Sequence, residues 1–485
     1  MLEQFTSPLG DFFLAHIIWV YVFLGIIFAI GILQNLISAL QLPAAYSEMR
    51  RHTQAEDSET TWQLLISEEV MPISILVPAY NEAETIVANL RSMLFLQFPN
   101  IEILVANDGS TDDTLNVLIE AFDLRPVARA HELTVPHAPV RGVYGSPAYP
   151  QLLVIDKENG GCKADAVNAA LNFSRHPLYC VVDADSLLEP ESLLRCVRPF
   201  MEEPEQMVAV GGTIRVLNGC TVKNGRITKI DLPKKFLPLV QTMEYIRAFL
   251  MARLAWSHWG MLSIVSGAFG IFRRDLSMKV GGWSSDTIGE DYDFIVKLHR
   301  YLSEQNIDYK MRYVPEPVCW TEAPESLKVL RTQRTRWQRG ALEVAAKNKD
   351  MFFNPRYGRF GMVAMPNNLL VDVIGPIAEF IGYLAFPFLF FLGVLDQAFL
   401  LAFLAIFFIF GTFISVSTLI LEELELARSP RARDLLKLGL VALIENFGYR
   451  QLNSWWRIVG WWQFLRKVEG WGEMPRLGTS EKKAG

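Results

Sequence analysis

Asp183 and Asp185 close the apolar run of "LYCVVDADS" with one residue between them. In a strand, residues two apart point to the same side, so both carboxylates face one way. Paired oxygen donors with open positions suit Mg2+ or Mn2+ shared with a substrate's phosphates, while an acidic turn is the plain alternative for the pair alone. Other polar groups stand in similar places. Asp108 ends "IEILVAND", Tyr80 and Glu82 follow "ISILVPA", and Lys163 stands just before the helical pattern "ADAVNAAL". A cation near a helix N-terminus can meet phosphate, although a solvated lysine is the plain reading. Tyr80 with Asp108 offers a base a stacking face and a polar contact. GxxxxGK[ST] and GxGxxG are both missing, so a nucleotide would be held through a metal and side-chain cations. Farther on, "GEDYDF" carries Glu290, Asp291 and Asp293. A carboxylate opposite a metal-bound leaving group can take the proton of an attacking hydroxyl, and an acidic helix start is the competing explanation. Last, "RTQRTRWQRG" sets Arg331, Arg334, Arg336 and Arg339 around Trp337.

The elements that must position these groups are strands alternating with helices. "ISILVPAY", "IEILVANDGS", "QLLVIDK" and "LYCVVDADS" are short continuous apolar runs that end in polar residues, and "TIVANLRSMLFL" and "TDDTLNVLIEAF" between them have helical periodicity. That alternation predicts an α/β fold with a doubly wound, mainly parallel sheet, in which ligands bind beyond the carboxyl ends of the strands. Residues 124–150 read as an excursion whose His131 and His137 are surface residues, and "NGCTVKNGRITKIDLPKK" as a hairpin or loop.

The chain has 485 residues, 51% hydrophobic and 20% charged. The apolar excess concentrates in residues 13–40, 367–394 and 398–421, each long enough to cross a bilayer, which takes about 20 apolar residues. An integral membrane protein is expected, with the first run as a retained anchor. "EMRRH" after the first run and "ARSPRARDLLK" after the third put the polar block on the cytoplasmic side of a cell membrane. The domain boundaries expected are 1–41 for an N-terminal transmembrane helix, 42–350 for a cytoplasmic catalytic domain, 351–465 for transmembrane and interfacial helices, and 466–485 for a tail. Within the third of these, residues 434–465 are interrupted by Glu445, Asn446, Arg450 and Arg457 and read as an interfacial or re-entrant pair. Polar residues there could line an exit path. Positive-inside bias by itself accounts for Arg331, Arg334 and Arg339. The five cysteines form no CxxC pair and read as reduced thiols, and a net charge of −6 argues against nucleic acid as a partner.

Taken in order, "PAYNE", "NDGSTDDT", "DAD", "GED" and "QRTRW" resemble the signature series of membrane-embedded, inverting family 2 glycosyltransferases, over residues 70–345 and the flanking membrane segments. "KENGGCKADAVNAAL" resembles the poly-N-acetylglucosamine-synthase-like branch. The resemblance implies a GT-A-like domain that uses a UDP-sugar donor and Mg2+ or Mn2+. Tyr80, Glu82 and Asp108 would bind the nucleotide, with Lys163 helping to hold UDP. Asp185 would be the principal metal ligand, Asp183 would contact the nucleotide sugar or metal, and Asp291 would be the base with Glu290 beside it. "SGAFGIFRR" would help shape the acceptor site. Gln333, Arg336 and Trp337 meet the pattern Q-x-x-R-W of chain-elongating members: Arg336 would meet the diphosphate, Trp337 would stack on a sugar ring and Gln333 would bond its hydroxyls. The implied product is a β-linked polysaccharide, of N-acetylglucosamine first and glucose second. Only one N-terminal span is evident where several relatives have two, so a partner subunit or dimer for export is part of the expectation, besides membrane lipids and a polysaccharide or lipid-linked acceptor. The rival readings are a single transfer to a lipid or short oligosaccharide, and a non-catalytic nucleotide-sugar sensor or transporter.

Overall fold

The computed structural model describes residues 12–13, 15–55, 70–223, 225–426 and 431–468. Among these residues twelve strands run in chain order: β1 (Ile73–Ala79), β2 (Ile101–Asp108), β3 (Arg125–Pro126), β4 (Val140–Gly145), β5 (Leu152–Lys157), β6 (Leu178–Val182), β7 (Leu187–Leu188), β8 (Met207–Val216), β9 (Thr221–Lys223), β10 (Arg226–Lys229), β11 (Phe269–Arg273) and β12 (Lys310–Thr321). The four apolar runs predicted as strands are β1, β2, β5 and β6, and nearly every residue in them is buried. Burial on both faces is what a parallel strand covered by helices requires, and it explains why these runs do not alternate. They pair in parallel in the order β5-β2-β1-β6.

Around that parallel centre the sheet becomes mixed. β4 and β3 extend one side antiparallel, and β11, β8, β12 and β7 extend the other, giving a sheet of ten strands of GT-A-like α/β form. The register aligns the carboxyl ends of β1, β2, β5 and β6 along one edge. β11 runs against β6 with Phe269 opposite Val182, so the backbone leading into it, including Gly267, lies at that same edge.

The helices that matter for the site are α1 (Ile17–Ala55), α2 (Lys163–Phe173), α3 (Phe236–Tyr245), α4 (Glu290–Glu304), α5 (Leu327–Lys347), α6 (Gly375–Phe391), α7 (Phe410–Leu426), α8 (Ala432–Ile444) and α9 (Tyr449–Leu465). Among the described residues three helical stretches, Ile17–Thr53, Phe360–Phe391 and Gln397–Leu424, are long and apolar enough to span a membrane, and they coincide with the three apolar runs. Helix α1 continues without a break to Ala55, and its polar end is clamped to the sheet domain. Glu48 accepts from Arg312 at 3.0 Å, and His52 pairs with Glu316 of β12 at 2.9 Å. Leu24 and Ile27 of α1 pack with Phe386, Phe403 and Phe407 in a second apolar cluster.

Residues 434–465 fold as two helices, α8 and α9, reversed at Gly448, whose φ of +88° suits a residue without a Cβ. Two of the charges that interrupt this segment are paired, Glu445 with Arg247 and Arg450 with Glu379 of α6 at 2.5 Å, and Arg457 donates to the Asp372 carbonyl at 3.2 Å. Helix α9 lies directly on α5. A Cβ at Gly460 would stand 2.8 Å from both Gln338 Cβ and the Thr335 carbonyl, so glycine sets that approach. All five cysteines are free thiols, as expected.

Candidate active site

Asp183 and Asp185 leave the end of β6 in a turn closed by the Ser186 N–H donating to the Asp183 carbonyl at 3.0 Å. The buried Asn89 side chain donates to the Ala184 carbonyl between them at 2.5 Å, which fixes the turn from below. Lys163, the first residue of α2, forms an ion pair with Asp183 and donates to the Gly267 carbonyl at 2.6 Å. The Gly267 N–H in turn donates to Asp291 Oδ2 at 3.2 Å. One lysine and the backbone N–H and carbonyl of one glycine therefore connect the DAD turn to the GED turn. Burial works against the charge of Lys163, but Asp183, Glu290 and Asp291 outweigh it and raise the ammonium's pKa.

Glu290 and Asp291 occupy the first turn of α4, where the helix dipole favours carboxylates. Glu290 is buried, and its Oε2 has no hydrogen-bond partner. Burial first and the adjacent Asp291 second push its pKa up to about 8, against the opposing pull of Lys163 and Arg336. Asp293 is turned elsewhere: it accepts from Ser284 and takes Lys347 at 3.2 Å, a structural arrangement.

Helix α5 carries "QRTRW" and crosses the start of α4 with backbone against backbone. A Cβ on Gly340 would come within 2.9 Å of the Gly289 N and Cα atoms. Glu343, one turn on, accepts from Thr287 Oγ1 at 2.9 Å and from the Ile288 N–H at 3.0 Å, tying α5 to the turn before α4. This crossing brings Arg336 close enough to act on the charge of Glu290. Trp337 stays 43% exposed, and the Arg334 guanidinium lies 4.4 Å above its ring. Gln333 Oε1 is enclosed without a hydrogen-bond partner.

The structure changes the reading of the neighbouring arginines. Arg331 is at the surface as expected of a topological charge, but Arg334 and Arg339 are buried. Arg334 pairs with Glu244 of α3, and Arg339 with Glu343 at 3.6 Å. The signal for Arg334 is its spacing of three from Trp337, which places the two side chains on one helix face.

At the β1/β2 end of the edge, Tyr80 is 48% exposed, while Glu82 is buried with its N–H donating to Thr114 Oγ1 at 2.9 Å. Asn81 between them has a φ of +56°, and its Oδ1 accepts the Thr111 N–H at 2.8 Å, which locks the β1 end to the loop after β2. Asp108 accepts the Gly160 N–H at 3.0 Å and pairs with Lys157, the last residue of β5. Lys157 has no exposed side-chain surface, and it also meets Asp165 of α2 at 2.6 Å. Sequence reasoning passed over this lysine, although a lysine following Asp156 at the end of an otherwise apolar strand was the available signal.

Asp183, Asp185, Glu290 and Asp291 thus share one edge with Lys163 and Arg336. Oxygen donors in such surplus suit a hard divalent cation, and Mg2+ is usually held by one or two carboxylates together with substrate phosphates. Among the described residues no group of three or more His, Cys, Asp or Glu side chains stands together in a way that could hold a metal ion by itself.

The poly-beta-1,6-N-acetyl-D-glucosamine synthase of Staphylococcus epidermidis is 27% identical over 281 residues, which is 58% of this chain and 57% of that protein. The enzyme of the same description from Staphylococcus aureus is 25% identical over 307 residues, 63% of each chain. The matched stretch is thus less than two thirds of the length of these relatives. Among solved structures, a mannosyltransferase from Pyrobaculum calidifontis in complex with GDP-Man and Mn2+ aligns with 90% of this chain and 100% of its own, at 16% identity and a TM-score of 0.49. Residues 1–349 of S. aureus TarS in complex with UDP-GlcNAc align with 80% of this chain and 92% of that fragment, at 16% identity and a TM-score of 0.37. The family model described as glycosyltransferase like family 2 matches residues 71–340, a stretch that holds every site residue from Tyr80 to Trp337, and the chain belongs to that family.

Proposed function

We propose that the chain is an inverting glycosyltransferase that moves a hexosyl unit from a UDP-sugar to the end of a growing β-linked polysaccharide at the membrane. N-acetylglucosamine is the favoured unit and glucose the second, the preference following the poly-N-acetylglucosamine synthases to which the chain is similar. The observation that supports the reading is the Lys163 and Gly267 bridge, which links Asp183 of the DAD turn to Asp291 at the start of α4 on one edge.

In this reading Tyr80 stacks on the base, and Glu82 and Asp108 serve the nucleoside end. Lys163 and Arg336 meet the diphosphate, a task to which the guanidinium's planar set of donors is suited. Asp185, with Asp183, would hold Mg2+ or Mn2+, which supplies positive charge to the leaving UDP. Asp291 takes the proton of the acceptor hydroxyl as its oxygen bonds to the sugar's anomeric carbon. The bond from that carbon to the UDP oxygen breaks on the opposite face, so the configuration inverts. Glu290 stands beside the base, and its neutral form spares Asp291 a second adjacent charge. Trp337 stacks on an acceptor ring, and Gln333 Oε1 accepts from a sugar hydroxyl.

Placed in a cell membrane, residues 1–41 and 351–465 are the membrane parts and 42–350 the cytoplasmic catalytic domain, with export shared with a partner subunit or a second copy. The test is product analysis of the purified chain in lipid vesicles with Mg2+ or Mn2+ and each UDP-sugar in turn, with Asp291→Asn as control. A long polymer from one donor is expected. Single additions would assign a lipid or oligosaccharide acceptor instead, and no metal-dependent UDP release from any donor would overturn the enzymatic reading.

A further inference from the structure

The β9–β10 hairpin carries a charge arrangement that works against its own stability. Val222 and Ile227 pack inward against Leu187, Leu217 and Trp320, and by the strand period of two Lys223 and Arg226 point outward. These two are direct cross-strand partners, and like charges facing each other across a ladder are destabilising. Among the described residues neither forms an ion pair with a carboxylate, and Arg226 instead lies 5.9 Å above the exposed ring of Phe95. A ribbon of two short strands has little stability in reserve for such a pair.

The hairpin is also connected to the point where the chain leaves its third apolar stretch. That stretch ends at Leu424, and Arg431, which opens α8, pairs at 3.5 Å with Asp231 just after β10; Asp231 also pairs with Lys229 at 2.5 Å. Ile230 beside it is exposed, and α8 presents Leu436, Leu440 and Leu443 outward next to Arg433. Cations interleaved with outward apolar side chains at the end of a candidate span are the composition that suits a bilayer surface. The chain as a whole is acidic, with a net charge of −6, so this concentration of positive charge is local.

We propose that the outward face of the β9–β10 hairpin, together with Arg431 and Arg433, docks on the anionic phospholipid headgroups of the bilayer around the chain's own helices. The inference rests on the membrane placement proposed above. Phosphates between Lys223 and Arg226 turn their repulsion into two attractions, so the hairpin is loose over neutral lipid and ordered over anionic lipid.

The experiment is hydrogen exchange on the full chain in nanodiscs of phosphatidylcholine alone or mixed with phosphatidylglycerol, at low and high salt. At about fivefold per basic residue near an anionic surface, exchange in residues 221–229 slows by about twenty-fold with phosphatidylglycerol at low salt, and the effect is lost at high salt. Lys223→Glu gives a second, opposite readout. It replaces a like-charge pair with an attractive one, so in neutral discs the hairpin exchanges more slowly than wild type while most of its lipid dependence disappears. Equal exchange in the two lipids, or a lipid effect that survives in the K223E/R226E variant, would overturn the proposal. Equal protection by soluble glycerol phosphate would overturn the bilayer assignment in favour of a free phosphate site. A chain that stays soluble without lipid or detergent would overturn the membrane placement itself, a result visible before any exchange is measured.

Discussion

Two groups of carboxylates lie along the same sheet edge, and they are neutralised in opposite ways. At the β2/β5 end, Lys157 sits between Asp108 and Asp165 with no exposed surface, and backbone N–H groups from Gly160 and Ala138 complete the arrangement. At the β6/α4 end, Lys163 serves Asp183 while Glu290 and Asp291 add to its surroundings, and Glu290 is left with an unpartnered oxygen and a pKa pushed up to about 8. The first group is a closed structural unit that holds the ends of two strands and a helix together. The second keeps a surplus of negative charge, the condition in which a carboxylate remains available to take a proton or bind a cation. A mutation of Lys157 or Asp165 in the first group should therefore be read out in stability, one of Asp108 in stability and donor binding together, and one in the second group in chemistry.

The largest expected effect is on chemistry. Asp291→Asn keeps the side chain's shape and its place beside the Gly267 N–H but removes the proposed base. Transfer should fall by about 10²- to 10⁴-fold, the usual contribution of a positioned base, while UDP affinity measured by calorimetry stays close to wild type. A loss of UDP affinity as large as the loss of turnover would move Asp291 from proton transfer to donor binding.

Lys157→Met tests the closed group. Removing one member of a buried ion pair strands the others, at a cost of about 3–5 kcal/mol, so a large drop in thermal midpoint is expected even without substrate. Lys163→Met should cost less stability, because its side chain is 17% exposed and its carboxylates are nearer to water, and should cost more activity. If the two substitutions destabilise equally, the distinction between a structural and a chemical cluster fails.

Glu290 gives a pH-dependent contrast. Its pKa rises from 4.5 in the unfolded chain to about 8 in the folded one, so between those values the folded state holds the extra proton. Stability then falls as pH rises through that window and levels off above about 8. Glu290→Gln keeps the neutral form throughout. It should match wild type at the acidic end and become the more stable protein by an amount on the order of a few kcal/mol at the alkaline end. Thermal midpoints across pH, without nucleotide, check this. A difference that is constant with pH would mean that Glu290 is not the titrating group.

Much of this contrast was present in the sequence, for a physical reason. Parallel strands buried on both faces must be continuous apolar runs, so β1, β2, β5 and β6 declared themselves, and their polar ends gave Asp108 and the Asp183/Asp185 pair. The later strands were less legible. β8 contains Gly211 and Gly212, and the register of β12 slips around Val314 and Pro317, so neither reads as a clean apolar run. Lys157 and Arg334 were missed because a buried cation is recognised by its partners. Those partners, Asp165 and Glu244, come from helices that no local pattern brings near. Asp291, Arg336 and Trp337 were singled out as candidates through the order of motifs, and the contact that brings α4 to α5 was not visible at all.

That contact supplies the finest test of the comparison. The backbones of α4 and α5 meet at Gly289 and Gly340, where a Cβ on Gly340 would stand 2.9 Å from the Gly289 N and Cα atoms. Backbone at that distance cannot rotate away as a flexible side chain would, so Gly340→Ala must push the helices apart. Overpacking of this kind costs about 1–3 kcal/mol, the smallest stability effect expected here. Its functional effect should be selective. Arg336 moves away from Glu290, so the pull that holds that pKa down weakens, and the pH at which the advantage of E290Q levels off should shift upward in the Gly340→Ala background. The Lys157, Asp108 and Asp165 group lies on the far side of the edge and should keep its contribution, so Lys157→Met and Gly340→Ala should add in thermal midpoint as independent sites do. Strong coupling between them would show that the two clusters form one unit, and the division drawn between them would have to be given up.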